Sequence, residues 1–455
     1  MSSLEPVFKA YDVRGIVPDQ LDASKCRAIG AAFARFTGTT RVVVARDMRA
    51  SGVELSKAFA DGARAAGTSV IDLGLASTDL LYFASGRLDA PGAMFTASHN
   101  PAAYNGIKLC LAGAKPVGQD TGLATIRADA ERALSAAGAD TSAPAPPVGG
   151  YEELDLLEEY AAHVRSFVDV ASLKPLRVVA DTANGMGGLV APKVFASLPF
   201  SVEILYPELD GTFPNHPADP IQPENLIDLK AAVLEHGADI GLAFDGDADR
   251  VFLVDERAQL VSGSLTTALV AAAMLEKHPG ATVLYNLICS KVVPETIEAQ
   301  GGKAVRTRVG HSFIKQVMAE TGAIFGGEHS GHYYFRDNYR ADSGIIAAMV
   351  VLEVMSTSGM ALSELLSPFR RYADSGEINT VVDDPVGTVE AIAALMAAKG
   401  EACDRTDGLT VDHGDWWFNL RPSNTEPLLR LNVEAADEEA CRARVADVLD
   451  LVRSL

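Results

Sequence analysis

Short apolar runs alternate with amphipathic segments through the first three-quarters of the chain. The apolar runs are bounded by turn residues and predict buried strands, and the segments between them carry apolar residues at helical spacing. This alternation predicts open α/β sheets, whose functional loops leave the carboxyl ends of the strands. The predicted strands cover residues 41–47, 68–74, 176–181, 200–208, 238–247, 281–288 and 322–327.

The C-terminal part of the chain follows a different pattern. Four short strand-like segments succeed one another there with few intervening helices, at residues 377–384, 408–413, 416–423 and 428–435. Helical patterns cover residues 386–399 and the stretch from Asp437 onward. Strands and helices grouped in this way predict a small α+β domain.

Composition shifts mark the domain boundaries. Residues 135–150 are small and rich in proline and glycine, which predicts a linker or a surface loop, and residues 151–170 predict an amphipathic helix. Further boundaries are expected after the strand 250–256 and near residue 370. We therefore predict four domains, over residues 1–148, 149–256, 257–369 and 370–455.

Charge and composition restrict the classes of partner. The chain has 455 residues, too many for one core, and a net charge of −21. That charge disfavours nucleic acid or an anionic membrane as a partner but allows an anionic small substrate in a local basic pocket. The apolar run 344–355 is interrupted by Glu353, which predicts a buried helix. Five cysteines without a C-x-x-C pair and the lack of a signal-peptide pattern predict a cytoplasmic protein.

The stretch FDGDADR (244–250) places three alternating aspartates at the end of a predicted strand. Asp245, Asp247 and Asp249 would repel one another without a cation, and hard oxygen ligands suit Mg²⁺ or Ca²⁺. A calcium-binding helix–loop–helix is excluded because Arg250 stands where that loop requires glycine. The spacing predicts a Mg²⁺ site with positions open to phosphate oxygens, and a solvated acidic turn is the alternative.

The stretch FTASHNP (95–101) presents Ser98 beside His99. A plain turn is one interpretation, because Asn100 before Pro101 favours turn initiation. A Ser–His triad fits poorly, because adjacent side chains usually point apart and no G-x-S-x-G elbow is present. A serine that carries a phosphate, neutralised by Mg²⁺ at the acidic loop, fits better.

Two further loops carry groups that suit phosphate and sugar. In RPSNTEP (421–427), Arg421 can bind two phosphate oxygens at once. In GGEHSGH (326–332), Glu328 and Ser330 offer an acceptor and a donor to sugar hydroxyls. Ordinary polar turns remain the alternative for both stretches. A P-loop and a complete G-x-G-x-x-G are lacking from the sequence, so ATP or NAD is not expected.

The motifs KAYDVRG, TASHNP, DGDADR, GEHSGH and RPSNTEP resemble, in order and spacing, those of the α-D-phosphohexomutases. Within that superfamily the chain is most similar to bacterial phosphomannomutases and bifunctional phosphomannomutase/phosphoglucomutases. The resemblance implies four domains around a central cleft: three mixed α/β domains and a C-terminal TATA-binding-protein-like α+β domain. It further implies interconversion of hexose 6-phosphate and hexose 1-phosphate, most often mannose, through a phosphoserine enzyme and a 1,6-bisphosphate.

The resemblance also assigns roles residue by residue. It makes Ser98 the phosphorylated serine and places Mg²⁺ between Ser98 and Asp245, Asp247 and Asp249, with hexose 1,6-bisphosphate as activator. The other catalytic candidates are Arg14, His99, Lys108 and His311, among which the base is not ranked. The substrate-binding candidates are Tyr11, Arg250, Lys291, Glu328, Ser330, Arg421, Ser423, Asn424 and Thr425.

Two departures from the family pattern leave alternatives open. Asp79 stands where many relatives have proline, which predicts a reshaped cleft edge, and His329 leaves the balance between mannose and glucose undecided. A main role as phosphoglucomutase or phosphoglucosamine mutase, a Mg²⁺-dependent phosphosugar phosphatase and a non-catalytic sugar-phosphate sensor are the other functions considered. A hinge is expected near residues 369–376, and the chain is expected to be a monomer or a homodimer.

Overall fold

The structure is a computed structural model that describes residues 3–136, 148–423 and 428–454. Its strands form four sheets, each built from a successive part of the chain. The prediction of a four-domain α/β architecture is confirmed. All seven strands predicted in the first three-quarters of the chain are present, with ends that differ by a few residues.

The first sheet has the order β1-β5-β4-β2-β3-β7, with β6 paired to β5. The central strands β4, β2 and β3 are parallel, so their carboxyl ends share one edge. The loop that contains Ser98 leaves that edge after β4. The strands are β1 Val13–Ile16, β2 Arg41–Arg46, β3 Ser69–Leu75, β4 Gly92–Phe95, β5 Tyr104–Leu111, β6 Lys115–Pro116 and β7 Tyr151–Glu153. The helices are α1 Ala23–Thr37, α2 Ala50–Ala65, α3 Thr78–Leu88 and α4 Leu123–Ser135.

The second sheet has the order β12-β11-β10-β8-β9. Its strands β10 and β11 form an antiparallel pair, and the acidic loop connects them. Both strands are buried along their whole length, which fixes the loop between them. The strands are β8 Arg177–Asp181, β9 Ser201–Leu205, β10 Ile240–Phe244, β11 Val251–Asp255 and β12 Leu260–Val261. The helices of this part are α5 Leu157–Arg165, α6 Gly187–Phe195 and α7 Ile227–His236.

The third sheet has the order β14-β13-β15-β16. Its strands are β13 Thr282–Asn286, β14 Lys303–Thr307, β15 Phe325–Gly327 and β16 Tyr333–Phe335, and its helices are α8 Gly263–Lys277, α9 Val292–Ala299, α10 His311–Thr321, α11 Gly344–Ser358 and α12 Leu362–Leu366. Helix α11 is buried in the core, as its apolar sequence predicts. In the described ranges no single helix is long and apolar enough to cross a membrane. The two successive helical segments Gly344–Ser358 and Leu362–Phe369, which are bent relative to each other, together meet the length and composition of a membrane span.

The fourth sheet is antiparallel, with the order β17-β21-β20-β19-β18. Its strands are β17 Ala373–Val381, β18 Cys403–Asp404, β19 Leu409–Asp412, β20 Trp417–Pro422 and β21 Leu428–Ala435. Helices α13 Pro385–Ala398 and α14 Glu438–Arg453 cover one face of this sheet. Strand residues alternate between faces, so Phe418 and Leu420 join the core under the helices while Asn419 and Arg421 lie on the opposite face.

The prediction of a helix over residues 151–170 is confirmed only in part. Residues Tyr151–Glu153 form β7, which pairs with the otherwise open edge of β3, and the helix is limited to Leu157–Arg165. The Asp155 carboxylate accepts a hydrogen bond from the Leu157 backbone N–H at 2.9 Å, so the helix begins there. The first sheet therefore extends past the boundary predicted at residue 148. The predicted linker falls largely on residues 137–147, which lie outside the described residues.

The hydrophobic cores divide the molecule unequally. One cluster contains Ile71 of the first sheet, Val178 of the second and Ile346 of α11, so the first three domains share a continuous core. The fourth domain has a separate cluster between its sheet and its two helices. The second sheet reaches β12 at residues 260–261, beyond the boundary predicted after residue 256. Among the described residues, the buried cluster of the fourth domain is thus separate from the core that the first three domains share.

Candidate active site

The loop after β4 holds Ser98 in an unusual backbone conformation. Its φ is 48°, in the left-handed region that costs a non-glycine residue about 1–3 kcal/mol. The Ser98 hydroxyl donates to Asp245 Oδ2 at 2.7 Å and lies 3.3 Å from His99 Nδ1. The expectation that Ser98 and His99 point apart is therefore wrong. The left-handed turn at Ser98 accounts for this, because it brings both side chains to the same side.

Arg49 stabilises this loop from beneath. Its side chain is 1% exposed and forms an ion pair with buried Asp47 at 3.2 Å. The guanidinium donates to the carbonyl oxygens of four loop residues, and with Asp47 these bonds use all five of its N–H groups. The four acceptors are Ser98 at 2.8 Å, Asn100 at 2.6 Å, Pro101 at 2.8 Å and Tyr104 at 3.0 Å.

The acidic loop between β10 and β11 packs directly against the serine loop. Asp245, Asp247 and Asp249 are all buried, and each offers one carboxylate oxygen within 4.8 Å of the others. A Cβ at Gly246 would lie 2.5 Å from the Ser98 carbonyl oxygen, so only glycine allows this approach. The structure thus brings together the serine and the three aspartates that are far apart in the sequence.

Lys108 and Thr78 complete the inner surface of this cluster. Lys108 Nζ lies 2.7 Å from Asp247 Oδ2 and 2.6 Å from Asp249 Oδ2. Burial alone would lower the pKa of Lys108, but the two carboxylates outweigh it and raise the pKa well above its usual value. Thr78 donates its hydroxyl to Asp247 Oδ2 at 2.6 Å and its backbone N–H to the Asp247 carbonyl at 3.0 Å. Lys108 is therefore a fixed cation at neutral pH.

The chemistry of the cluster fits a divalent metal. Burial raises the pKa of Asp245 well above its ordinary value, and Asp247 and Asp249 add to this although Arg250 opposes it. In the described part of the chain, Oδ1 of Asp247 and Oδ1 of Asp249 are buried and accept no hydrogen bond. Buried carboxylate oxygens without a donor are costly unless a cation binds them. Hard oxygen ligands of this kind suit a small divalent ion.

Arg250 and His99 connect this cluster to the cleft. Arg250 donates through Nε to Asp245 Oδ2 at 3.0 Å and through Nη2 to His99 Nδ1 at 2.7 Å. The His99 ring is exposed to the cleft, yet desolvation by the surrounding walls, together with Arg250 and Arg14, lowers its pKa well below the usual value. His99 is therefore neutral at pH 7. Arg14 Nη1 donates to Asn100 Oδ1 at 2.5 Å and so reaches the same loop.

A cavity of about 1620 Å³ lies between the first, third and fourth domains. Its walls are basic although the chain as a whole is acidic. The basic lining residues are Lys9, Arg14, Lys115, Arg308, Lys315, Arg340, Arg421 and Arg430, against the acidic residues Glu5, Asp12 and Asp120. The cleft is therefore complementary to an anionic ligand. Tyr11 and Ser423 also line it, as the sequence predicts for substrate-binding residues.

Three predicted binding residues occupy other positions. Lys291 Nζ lies 2.7 Å from Asp412 Oδ1, so it joins the third domain to the fourth. Glu328 is 2% exposed and accepts a hydrogen bond from the Tyr334 hydroxyl at 2.6 Å. Ser330 Oγ lies 2.8 Å from His332 Nδ1. None of these three lines the cavity described above.

Some predicted residues lie partly or wholly outside the described residues. Asn424 and Thr425 are among these, so their predicted contact with phosphate stays a prediction. His311 is the first residue of α10, but its side chain is not described. The predicted roles of these residues rest on the sequence.

Four residues that the structure places at this site have no role predicted from the sequence. Arg49 and Thr78 hold the serine and acidic loops, Arg430 lines the cleft beside Arg421, and His332 Nε2 lies 3.9 Å from Asp249 Oδ1. His332 was identifiable from its place in GGEHSGH. The other three have no local signal, because each acts through residues distant in sequence.

Comparison with known proteins agrees with this arrangement along the whole chain. Four domain families match in order, each described as phosphoglucomutase/phosphomannomutase. They are alpha/beta/alpha domain I over residues 5–136, domain II over 158–259, domain III over 262–372 and the C-terminal domain over 377–451.

Several relatives match nearly end to end. A protein of Xanthomonas campestris pv. campestris (strain ATCC 33913) that is named phosphohexose mutases is 41% identical over 98% of this chain and 99% of its own length. The phosphomannomutase of Salmonella montevideo is 39% identical over 98% and 99%. A phosphoglucomutase/phosphomannomutase family protein from Burkholderia thailandensis, of known crystal structure, superposes with a TM-score of 0.89 at 33% identity, covering 100% of this chain and 98% of that one. The chain therefore belongs to the phosphoglucomutase/phosphomannomutase family.

Proposed function

We propose that the chain is a hexose phosphate mutase that interconverts hexose 6-phosphate and hexose 1-phosphate, with mannose as the favoured sugar. The observation that carries the proposal is the 2.7 Å contact between the Ser98 hydroxyl and Asp245, inside a buried cluster of three carboxylates beside a basic cleft. Relatives named phosphomannomutase support mannose, and a relative from Pseudomonas aeruginosa named phosphomannomutase/phosphoglucomutase supports glucose as a second sugar.

Ser98 is proposed to carry the phosphoryl group. The bond from Ser98 Oγ to phosphorus breaks as the free sugar hydroxyl forms its own bond to phosphorus, giving a 1,6-bisphosphate. The other phosphate of that intermediate later returns to Ser98 Oγ. Such transfers require positioning and charge neutralisation more than covalent assistance. The left-handed turn at Ser98, held by Arg49, supplies the positioning.

The three aspartates are proposed to hold Mg²⁺, together with the phosphate on Ser98. When bound, the metal would neutralise charge on the transferring phosphoryl group. Lys108 and Arg250 are proposed to act electrostatically beside it, because both side chains are tied to these carboxylates. The metal identity is tested by titration with Mg²⁺ as well as by activity.

The attacking sugar hydroxyl must lose its proton to a base. Lys108 is a poor candidate, because its raised pKa keeps it protonated. His99 is the better candidate, since its ring is neutral and Nδ1 lies 3.3 Å from Ser98 Oγ. To accept the proton, Nδ1 must first release the hydrogen bond that Arg250 donates to it. His332, near Asp249, is a further neighbour of the reacting group. His311 stays a candidate from the sequence alone.

The decisive experiment offers mannose 1-phosphate with catalytic hexose 1,6-bisphosphate and follows both phosphates by ³¹P nuclear magnetic resonance. Formation of mannose 6-phosphate without free phosphate is expected, and Ser98→Ala is expected to abolish it. Release of inorganic phosphate alone would instead indicate a phosphatase. Parallel kcat/KM values with glucose 1-phosphate measure the sugar preference. Intact mass of the purified chain, before and after exposure to the bisphosphate, tests whether Ser98 becomes phosphorylated.

A further inference from the structure

Lys115 and Arg340 are two basic residues of the cleft wall that have no ion-pair partner in the described part of the chain. Lys115 belongs to β6 of the first domain, and Arg340 lies in the loop between β16 and α11 of the third. Neither side chain donates a hydrogen bond to a described residue. By contrast, carboxylates pair with other basic residues of the same wall, namely Arg14, Lys315, Arg421 and Arg430. The charges of Lys115 and Arg340 are therefore available to a ligand.

The two side chains border one small apolar cluster, and we call them the lateral basic pair. Ala114 of the first domain and Ala341 of the third are buried in that cluster, and Tyr339 packs against it. Lys115 directly follows Ala114, and Arg340 directly precedes Ala341. Helix α10 also packs against β6, the strand that carries Lys115. The pair thus brings two positive charges together across the boundary between the first and third domains, beside an apolar floor.

The backbone that presents Arg340 is strained. Tyr339 and Arg340 have φ angles of 54° and 62°, so two successive non-glycine residues adopt the left-handed region. Such a conformation is costly and persists only where the surrounding structure fixes it. The Tyr339 ring lies so close to Gly86 that a Cβ there would clash with it, and buried Asn338 Oδ1 lies 3.0 Å from His163 Nε2. Contacts with the first and second domains therefore hold the turn that carries Arg340 to the cleft wall.

The lateral basic pair lies in a part of the cleft that extends along α10. Ser312 and Ala319 are seven positions apart on one face of that helix, about 10 Å along its axis, and both line the cavity. His99 and Asn100 of the serine loop line the same cavity. An anion can therefore move between the serine loop and the lateral basic pair without leaving the cleft.

We propose that the lateral basic pair binds a phosphate monoester at a second, non-catalytic position of the cleft, and that one phosphate of the 1,6-bisphosphate occupies this position while the intermediate turns. The site itself rests on the geometry of Lys115 and Arg340, and the identity of the ligand rests on the proposed function. Ammonium and guanidinium groups bind phosphate oxygens through charge-assisted hydrogen bonds. The apolar floor beside them suits the carbon face of a sugar.

The pair would act on the stage at which the intermediate is most easily lost. A bisphosphate that turns must give up its contacts at the serine loop before its other phosphate can reach Ser98. The chain has a net charge of −21, so its surface outside the cleft repels such an anion, whereas the lateral basic pair attracts it. The pair therefore raises the fraction of bisphosphate that completes the turn instead of leaving the protein.

Binding without turnover tests the site directly. In a Ser98→Ala background, equilibrium dialysis with radiolabelled mannose 6-phosphate at millimolar concentration counts the molecules bound per chain. About two are expected in this background and about one when Lys115→Met and Arg340→Met are added together. The control is Arg336→Met, because Arg336 lies in the same loop as Arg340 and pairs with Asp337. Arg340→Lys keeps the charge and is expected to retain the second molecule.

Turnover with Ser98 intact gives the second readout. The chain carrying ³²P on Ser98 is mixed with unlabelled mannose 1-phosphate, and the label in free 1,6-bisphosphate is compared with the label in mannose 6-phosphate. The double variant Lys115→Met/Arg340→Met is expected to release several-fold more free bisphosphate than wild type or Arg336→Met. With saturating added bisphosphate its kcat is expected to stay within about twofold of wild type, because the groups around Ser98 are unchanged.

Thermal unfolding of each variant identifies a loss of folding. Should the double variant be destabilised, Lys115→Met alone decides, because Lys115 is exposed on a short edge strand. One bound molecule per chain in the Ser98→Ala background, two in the double variant, or equal release of bisphosphate by the double variant and Arg336→Met would each overturn the inference.

The two proposals fail in distinguishable ways. If a second molecule binds in a manner that depends on the lateral basic pair but no mannose 6-phosphate forms, the mutase proposal falls and the lateral anion site stands. If mannose 6-phosphate forms and the double variant behaves like Arg336→Met in both measurements, the lateral site falls and the mutase proposal stands.

Discussion

The two ends of the cleft are built in opposite ways. At the end with Ser98, the contacts between the first and second domains are buried, and the domains share one continuous core. Ser98 with Asp245, and Thr78 with Asp247, form hydrogen bonds across the two domains at 2.7 and 2.6 Å. At the other end the fourth domain has its own core, and its contacts with the third domain include partly exposed ion pairs and a hydrogen bond from the Lys291 backbone N–H to buried Glu434 at 3.0 Å.

This contrast corresponds to two different tasks. Phosphoryl transfer depends on fixed positions within a fraction of an ångström, so the serine end is rigid. In the proposed reaction a 1,6-bisphosphate must present each of its phosphates to Ser98 in turn, so the fourth domain, whose Arg421 lines the cleft, needs a contact that forms and breaks. Buried bonds between domains suit the first task, and ion pairs accessible to water suit the second. Perturbations of the two ends should therefore differ in size and in kind.

The largest effect is expected at the acidic cluster. Asp245→Asn keeps an acceptor for the Ser98 hydroxyl but removes a charge from the proposed metal site, and we expect kcat to fall by about 10³-fold. Titration with Mg²⁺ should show weaker binding. The control is Asp228→Asn in the same domain, whose carboxylate accepts a hydrogen bond from the Tyr206 hydroxyl in an exposed pair. Turnover near that of the control would show that the carboxylate charge is not required.

The next effect is expected at Arg49. Arg49→Lys offers three donors where five are used, so the serine loop loses part of its support. We expect kcat to fall by about 10²-fold with a smaller change in KM, because a displaced reacting group costs about that much. The control is Arg41→Lys on β2, the strand that precedes Arg49 in the sequence, since the Arg41 side chain is exposed.

A second measurement tests whether Arg49 acts by positioning the loop that carries Ser98. Added guanidinium is expected to restore part of the turnover of Arg49→Ala but none of Ser98→Ala. Breaking the buried pair with Asp47 should also lower the free energy of unfolding, by about 3–5 kcal/mol for Arg49→Met. If turnover of Arg49→Lys matches Arg41→Lys, the positioning role is wrong.

The sequence predicts these two ends unequally. Local patterns were sufficient to predict the sheets and the residues of the serine end. These patterns are the strand before the acidic loop, the alternating aspartates and the motif that contains Ser98. Arg49 is different, because the local sequence RDMRASG does not distinguish Arg49 from an exposed arginine such as Arg41. Its role is visible only in the structure, where four carbonyl oxygens of a distant segment surround it. The strand β7 was missed for the same reason: its partner is an open sheet edge, which no local pattern records.

A third effect concerns the junction of the first three domains. Asp79 is buried at the start of α3 and accepts hydrogen bonds from Ser77 and, at 2.7 Å, from Ser343 of the third domain. Tyr160 of the second domain lies 3.3 Å from the same Ser343 hydroxyl. The residue predicted to reshape a cleft edge therefore joins three domains in the interior.

Burial raises the pKa of Asp79 to about 7. The unfolded chain ionises this group near pH 4, so between pH 4 and 7 the folded state alone retains the proton and stability falls as pH rises. The loss amounts to about 4 kcal/mol and is complete above pH 7. Asp79→Asn should abolish this decline in the unfolding midpoint, and Asp89→Asn, at the exposed end of α3, should not. Equal pH profiles for wild type and Asp79→Asn would contradict the assignment.

The smallest effect is expected at the contact between the third and fourth domains. Lys291 with Asp412 and Arg306 with Asp404 form ion pairs at 2.7 Å whose side chains are 25% to 57% exposed. Pairs of this exposure contribute about 0.2–1 kcal/mol each and are screened by salt.

The double variant Asp404→Asn/Asp412→Asn should therefore change kcat/KM by no more than about fivefold. Its radius of gyration from small-angle scattering should exceed that of wild type at low ionic strength and converge with it as salt is added, because salt weakens the pairs only in wild type. Asp415→Asn, an exposed residue of the same domain, should leave both quantities unchanged. A double variant as compact as wild type at low salt would mean that the fourth domain is held by its other contacts, and the contrast between a rigid and a releasable end would then be wrong.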